Sequence, residues 1–275
     1  MTEYETLLME QSGRVAVVRL HRPGAKNAMS VAMMRELIAV GERIGADLSI
    51  GAVVVTGSAE VFSGGVDLRD PELAAVFGLP LASKRRVLDA GPRLCRVWEE
   101  LPQPTFAAVE GWCVGGGAAL AMACDFRIVA DGATIRIPEI ERGMNFSWGS
   151  LPRIVSLVGP ACAKKWVMFA ESIDASEALR SGFAQWTCPR GEAERFAIDR
   201  ARALCEMPLA AVMMTKQTVN AIGAAAKPVV HMDTDQFALT LGSEDFQEGV
   251  ASFLEKRSPK FNQGLPEPES FDPDR

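Results

Sequence analysis

Histidine is almost missing from this chain, with only His21 and His231 in 275 residues. So few leave a Ser-His-Asp or Cys-His nucleophile and a histidine-based metal site without support. His21 closes a strand beside Arg22-Pro23 and His231 falls in a helical stretch, so both read as structural or surface residues. No apolar run reaches the roughly 18 residues of a membrane span; the least charged stretch, around Gly111 to Cys124, is short and broken by glycine. The opening MTEYETLLMEQ is acidic and lacks the basic-then-apolar layout of a signal peptide. No GxGxxG opens a helix after a strand, no Walker lysine follows a glycine loop, and no GxSxG occurs. The six cysteines form no CxxC pair and no metal spacing, and read as buried reduced thiols of a cytoplasmic protein. A net charge of −6 argues against non-specific nucleic-acid binding.

What remains is an ordinary soluble composition, 48% hydrophobic and 23% charged, in a chain long enough for a substantial core. Strands are expected at 6–10, 14–20, 51–57, 105–110, 125–130 and 134–137. Ser30 is a candidate cap for a helix to about 44, with Met33, Met34, Leu37, Ile38 and Ile44 at helical spacing. The 70–81 segment, with two prolines, reads as an irregular loop, and Gly91-Pro92 as a kink in a helix over 83–101. Strand, helix and glycine turn alternate to about residue 140, giving a mixed α/β core. Beyond Gly159-Pro160 the chain turns helical, over 160–170, 176–182, 192–206, 208–226 and 229–256.

Two glycine turns carry the chemistry. Gly115, Gly116 and Gly117 precede a run of helix formers, so uncovered N–H groups meet the positive end of a helix dipole. A tight strand-to-helix junction would use the same residues. The second turn, Ser63-Gly64-Gly65-Val66-Asp67, also follows a buried strand. Two such turns can converge on one carbonyl oxygen, the arrangement that stabilises an enolate or a tetrahedral oxyanion.

In order along the chain, RPGAKNAM (22–29), FSGGVDL (62–68), PTFAAVEGWCVGGGAALAMACDFRIVAD (104–131), IPEIERG (137–143), LVGPACAKKWVMFAESIDASEALRSGF (157–183) and SEDFQEGVASFLEKRSPKF (243–261) resemble the crotonase superfamily, the enoyl-CoA hydratase/isomerase enzymes. The resemblance covers nearly the whole chain. It implies an α/β spiral of β-β-α units with an appended C-terminal helical layer: a core over 1–200 holding the acyl-CoA site, an oligomerisation region over 201–260 and a loose tail over 261–275.

By the same resemblance, the backbone N–H groups of Val66 and Gly116 hold the thioester oxygen, and Glu139 carries the proton. Hydratases of the family have a further glutamate at the position matched by Ala119, which can neither position water nor move a proton. Asn145 and Ser147 fall where some members place an additional acid. CoA and acyl contacts are expected from Arg22, Ala25, Lys26, Ala28, Gly64, Gly65, Asp67, Leu68, Arg69, Gly115, Trp148, Phe253 and Lys256, with acyl-pocket walls from 70–90 and Phe146-Ser147-Trp148. With one glutamate and an oxyanion hole, a double-bond shift from the 3 to the 2 position of an enoyl-CoA ranks first. Hydration or another lyase reaction ranks second, and non-catalytic acyl-CoA binding third. Coenzyme A enters as part of the substrate; no other cofactor, metal, membrane or nucleic acid is expected, and the assembly is expected to be a homotrimer or hexamer.

Overall fold

The computed structural model describes residues 4–224, 230 and 232–263; His231 and, from 264 onward, the expected tail lie outside the described residues. The first half alternates strands and helices: β1 (Leu7–Ser12), β2 (Val15–Leu20), α1 (Val31–Ala46), β3 (Ala52–Thr56), β4 (Val61–Ser63), α2 (Pro71–Ala75), α3 (Leu81–Leu88), α4 (Ala90–Glu100), β5 (Thr105–Val109), β6 (Trp112–Val114), α5 (Gly116–Ala123), β7 (Phe126–Ala130) and β8 (Thr134–Arg136). Helices then dominate: α6 (Ser150–Val158), α7 (Pro160–Met168), β9 (Ser172–Ile173), α8 (Ala175–Arg180), β10 (Trp186–Cys188), α9 (Ala193–Cys205), α10 (Leu209–Ala224), α11 (Asp233–Thr240) and α12 (Glu244–Glu255).

The strands form two sheets. One runs β1-β2-β3-β5-β7-β10, parallel except for the antiparallel β1–β2 hairpin, and the other runs β4-β6-β8-β9. Each pair β3/β4, β5/β6 and β7/β8 gives one strand to each sheet, so the chain winds as a spiral of repeated turns. The strand β3, apolar but for Thr56, is buried along its length, as a central parallel strand must be. Every residue of α5 is buried. Its Gly-Gly-Ala-Ala-Leu-Ala-Met-Ala sequence, mostly small side chains, suits a helix enclosed on all sides.

Buried Arg127 fixes the far end of α5 by donating to the carbonyls of Ala121, Cys124 and Phe183 at 3.1, 2.7 and 2.6 Å. Such a guanidinium is tolerated in the core because carbonyls satisfy its donors. Ser30 caps α1 as expected, accepting from the Met33 N–H at 3.1 Å.

Three expectations needed correction. The 70–81 segment is not irregular: Asp70 caps α2, with Pro71 in its first turn, and also accepts the Val31 N–H at 2.8 Å. The break between α3 and α4 falls at Asp89, ahead of Gly91-Pro92, because proline is tolerated in a helix's first turn. Within 229–256 the chain turns at Gly242, and Ser243 starts α12 by accepting from the Phe246 N–H at 3.1 Å. The strands β9 and β10 are too short, at two and three residues, to show a period in the sequence. Among the described residues, no helix is long and apolar enough to cross a membrane.

Candidate active site

The two glycine turns meet at the head of α5. A Cβ built on Gly65 would lie 3.0 Å from the Val114 carbonyl and 3.8 Å from the Gly116 nitrogen; one on Gly116 would lie 3.3 Å from Val66 Cγ2. Neither position has room for a side chain, and Gly65 has φ +89. The first turn is tied down from outside: the Gly65 carbonyl accepts from the Met29 N–H at 2.7 Å and the Gly64 N–H donates to the Lys26 carbonyl at 2.9 Å. Ser63 Oγ donates to the Asn27 carbonyl at 2.8 Å and accepts from the Gly65 N–H at 3.2 Å. Among the described residues, the N–H groups of Val66 and Gly116 have no hydrogen-bond acceptor, and both residues line one cavity of about 580 Å³. Two unspent donors, one at a helix N-terminus, are what a developing oxyanion requires.

Glu139 stands beside them. It opens a single 3-10 turn, Glu139–Arg142, rather than ending a strand. Its Oε1 would be 2.5 Å from a Cβ on Gly115, so only a glycine, here at φ +49, lets the carboxylate reach the wall. Its Oε2 is buried without a hydrogen-bond partner, an uncommon state for a carboxylate oxygen. Burial pushes the carboxyl up to about 7; a backbone hydrogen bond and the Arg142 charge offset part of that rise. A carboxyl near neutrality can both take and return a proton.

Arg142 stays close because it donates to the Pro138 carbonyl at 2.8 Å and stacks 4.2 Å over the Phe253 ring. The turn rests on α12 with no side chain between them. A Cβ on Gly249 would meet the Arg142 backbone at 2.5 Å, and one on Gly143 the Asp245 backbone at 2.6 Å. Glu141 instead pairs with Arg136 at 2.5 Å and is exposed.

The cavity collects most of the residues expected from the sequence. Ala25, Lys26, Ala28, Gly64, Gly65, Asp67, Leu68, Arg69, Gly115, Trp148 and Phe253 line it together with Val66, Gly116 and Glu139. Arg22 and Lys256 do not. Arg22 is drawn into an ion pair with Asp67 at 2.9 Å and also donates to the Ala28 carbonyl, which braces the first glycine turn. Lys256 is the exposed left-handed residue that ends α12. Ala119 lies at zero exposure in the main core and does not line the cavity.

Of the wall expected for the acyl group, Leu73, Val76, Phe77, Val87 and Leu88 from 70–90 line the cavity, together with Phe146, Ser147 and Trp148. Phe237, Leu241, Phe246, Val250 and Leu254 complete it from α11, α12 and the segment between them. Those residues were missed by sequence reasoning; their only signal was apolar spacing, which a helical interface also produces. Trp148, held at φ +66, lays its indole between two glycines: a Cβ on Gly91 would fall 2.0 Å from its Cε2 and one on Gly116 2.8 Å from its Cη2.

This fold has counterparts among known proteins. Residues 10–264 match the family model described as enoyl-CoA hydratase/isomerase. The chain belongs to that family, within the crotonase superfamily. It is 33% identical over 262 residues to a Mycobacterium tuberculosis protein named "Probable enoyl-CoA hydratase echA8", covering 94% of this chain and 98% of the relative. It is 31% identical to the short-chain-enoyl-CoA hydratase of Clostridium acetobutylicum, covering 93% and 97%. The crystal structure of carnitinyl-CoA hydratase from Mycobacterium avium superposes with a TM-score of 0.82 at 30% identity, covering 94% and 98%. This member of the family is therefore an acyl-CoA enzyme whose fold matches that of its solved relatives.

Proposed function

We propose that the enzyme shifts the double bond of a 3-enoyl-CoA to the 2 position. The observation that carries this reading is the placement of Glu139, whose unpartnered carboxylate oxygen is buried beside Gly115, next to the Gly116 donor. With the thioester oxygen held by the Val66 and Gly116 N–H groups, the ionised Glu139 takes a proton from C2. The C2–H electron pair passes into a dienolate whose charge rests on the held oxygen. The protonated carboxyl then returns the proton to C4, leaving the double bond between C2 and C3. One carboxylate and one oxyanion hole balance every atom of that cycle.

A second reading, hydration, draws on the hydratase names of the relatives and on the hydroxyl of Ser147 in the cavity wall. Buried, apolar Ala119 weighs against it, since no carboxylate stands there. The exposed apolar side chains Met168, Phe169, Met214, Val219 and Ile222 supply surface for the homotrimer or hexamer of the same reading.

The purified protein incubated with saturated, 2-enoyl and 3-enoyl acyl-CoAs in deuterated water, with products read by mass spectrometry, tests the proposal. Double-bond shift with deuterium gained at carbon is expected; hydration without a shift would put the second reading first.

A further inference from the structure

The cavity has a second polar device besides Glu139. Ser147 lies in its wall at 6% exposure, and its Oγ donates to Oδ2 of Asp233 at 2.7 Å. Asp233 is itself 6% exposed, opens α11, and accepts the Gly149 N–H on the same oxygen at 3.1 Å. It comes from 86 residues further along the chain, so no local spacing joins the two. The same cavity is lined by apolar Met144, Phe146, Trp148, Leu88 and Leu241.

A hydroxyl has one proton and two acceptor lone pairs. The Ser147 proton is committed to a carboxylate, so toward any other group this oxygen can only accept. A hydroxyl that donates to an anion is polarised and becomes a stronger acceptor. The group that suits it is an O–H that itself has no acceptor in an apolar pocket: a water molecule, or a hydroxyl on the acyl chain.

We propose that Ser147, oriented by Asp233, is a catalytic residue that anchors the oxygen bonded to, or adding to, the β-carbon of the acyl group, and that Asp233 is its positioning residue. This rests on reading the cavity as an acyl-CoA site with Glu139 as proton carrier. Water then gives one hydrogen to a bond with Ser147 Oγ and the other to the Glu139 carboxylate. As that second proton moves to Glu139, the water oxygen bonds to C3 and the C2–C3 π pair moves toward the thioester, whose oxygen takes the charge. Protonated Glu139 delivers the proton to C2 as the enolate collapses. One water is added, Glu139 is regenerated, and Ser147 keeps its proton throughout. The serine replaces by hydrogen bonding the contact that Ala119 cannot make. Proton exchange at C2 alone needs no anchored water and so does not need Ser147.

That difference gives the test. Hydration of a 2-enoyl-CoA and deuterium exchange at C2 of the saturated acyl-CoA are measured for the wild type, Ser147→Ala, Ser147→Thr and Asp233→Asn. Ser147→Ala should lose at least about tenfold in hydration kcat, the size expected for loss of one hydrogen bond to the reacting water. Its exchange rate should fall far less than its hydration rate, and the exchange that remains also reports that it is folded. Ser147→Thr, which keeps the hydroxyl, should recover most of the loss, and Asp233→Asn should fall between. Equal losses of hydration and exchange in Ser147→Ala, or unchanged hydration, would overturn the proposal. A wild type that exchanges but does not hydrate would overturn it alone; one that neither exchanges nor converts any acyl-CoA would overturn the proposed function as well.

Discussion

Glu139 Oε1 stands so close over Gly115 that a methyl group on that glycine would sit 2.5 Å from it. The glycine that precedes the proposed second oxyanion donor therefore also makes room for the proposed proton carrier. Gly115→Ala should damage catalysis twice over, by displacing the carboxylate and by straining a backbone at φ +49, which alanine adopts poorly. A loss of at least about a hundredfold in kcat is expected, with substrate affinity affected far less. Steady-state kinetics beside an equilibrium binding measurement with a saturated acyl-CoA checks this; loss of both in equal measure would make Gly115 a folding residue only.

The Glu139 carboxyl, raised by burial to about 7, should set the pH profile if it is the base. Proton abstraction needs the ionised form, so kcat/KM should climb through about pH 7 and level off above it. Each unit below should cost about tenfold. A profile that stays level down to pH 5 would remove Glu139 from the role of base.

The same raised value makes a statement about stability. A carboxyl that holds its proton more tightly folded than unfolded contributes stability at low pH, and loses it as pH rises from about 4.5 to about 7. Above that window the ionised side chain costs about 3 kcal/mol, an upper figure from the size of the shift. Glu139→Gln should therefore melt several degrees above wild type at pH 8, and the gap should close toward pH 4.5. Thermal denaturation at the two pH values decides it, and a destabilised glutamine variant at pH 8 would contradict it.

Helix α12 holds the Glu139 turn through backbone contact at Gly249, where any Cβ would meet Arg142 at 2.5 Å. Gly249→Val should lift the helix, break the stacking of Arg142 on Phe253, and lower both turnover and stability, the latter by about 1–3 kcal/mol. Gly223→Ala is the control, since a Cβ there meets nothing within 4 Å. Circular dichroism melts and turnover of the two variants side by side would show whether the loss is specific to the contact.

Much of this was legible in the sequence. Glycine turns after buried strands, a capped amphipathic helix and an unbroken valine strand each have a local cause, so β3, α1 and the heads of the two turns could be read one at a time. Residues that act through distant partners could not. Arg22 was expected among the CoA contacts from the family resemblance of its loop, whereas its pairing with Asp67 depends on the turn folding back over it. The strand expected over 134–137 stops short of Glu139, and nothing local marks the 3-10 turn that packs against α12, more than a hundred residues later. Phe237, Leu241 and Phe246 could be assigned to helices but not to a cavity wall.

The most direct measurement is deuterium exchange at C2 of a saturated acyl-CoA by Glu139→Gln, with binding of the same ligand measured in parallel. Glutamine keeps the shape of the side chain and removes its ability to take a proton. Binding should stay within a few-fold of wild type while exchange falls by at least about a hundredfold. Exchange at close to the wild-type rate would contradict it.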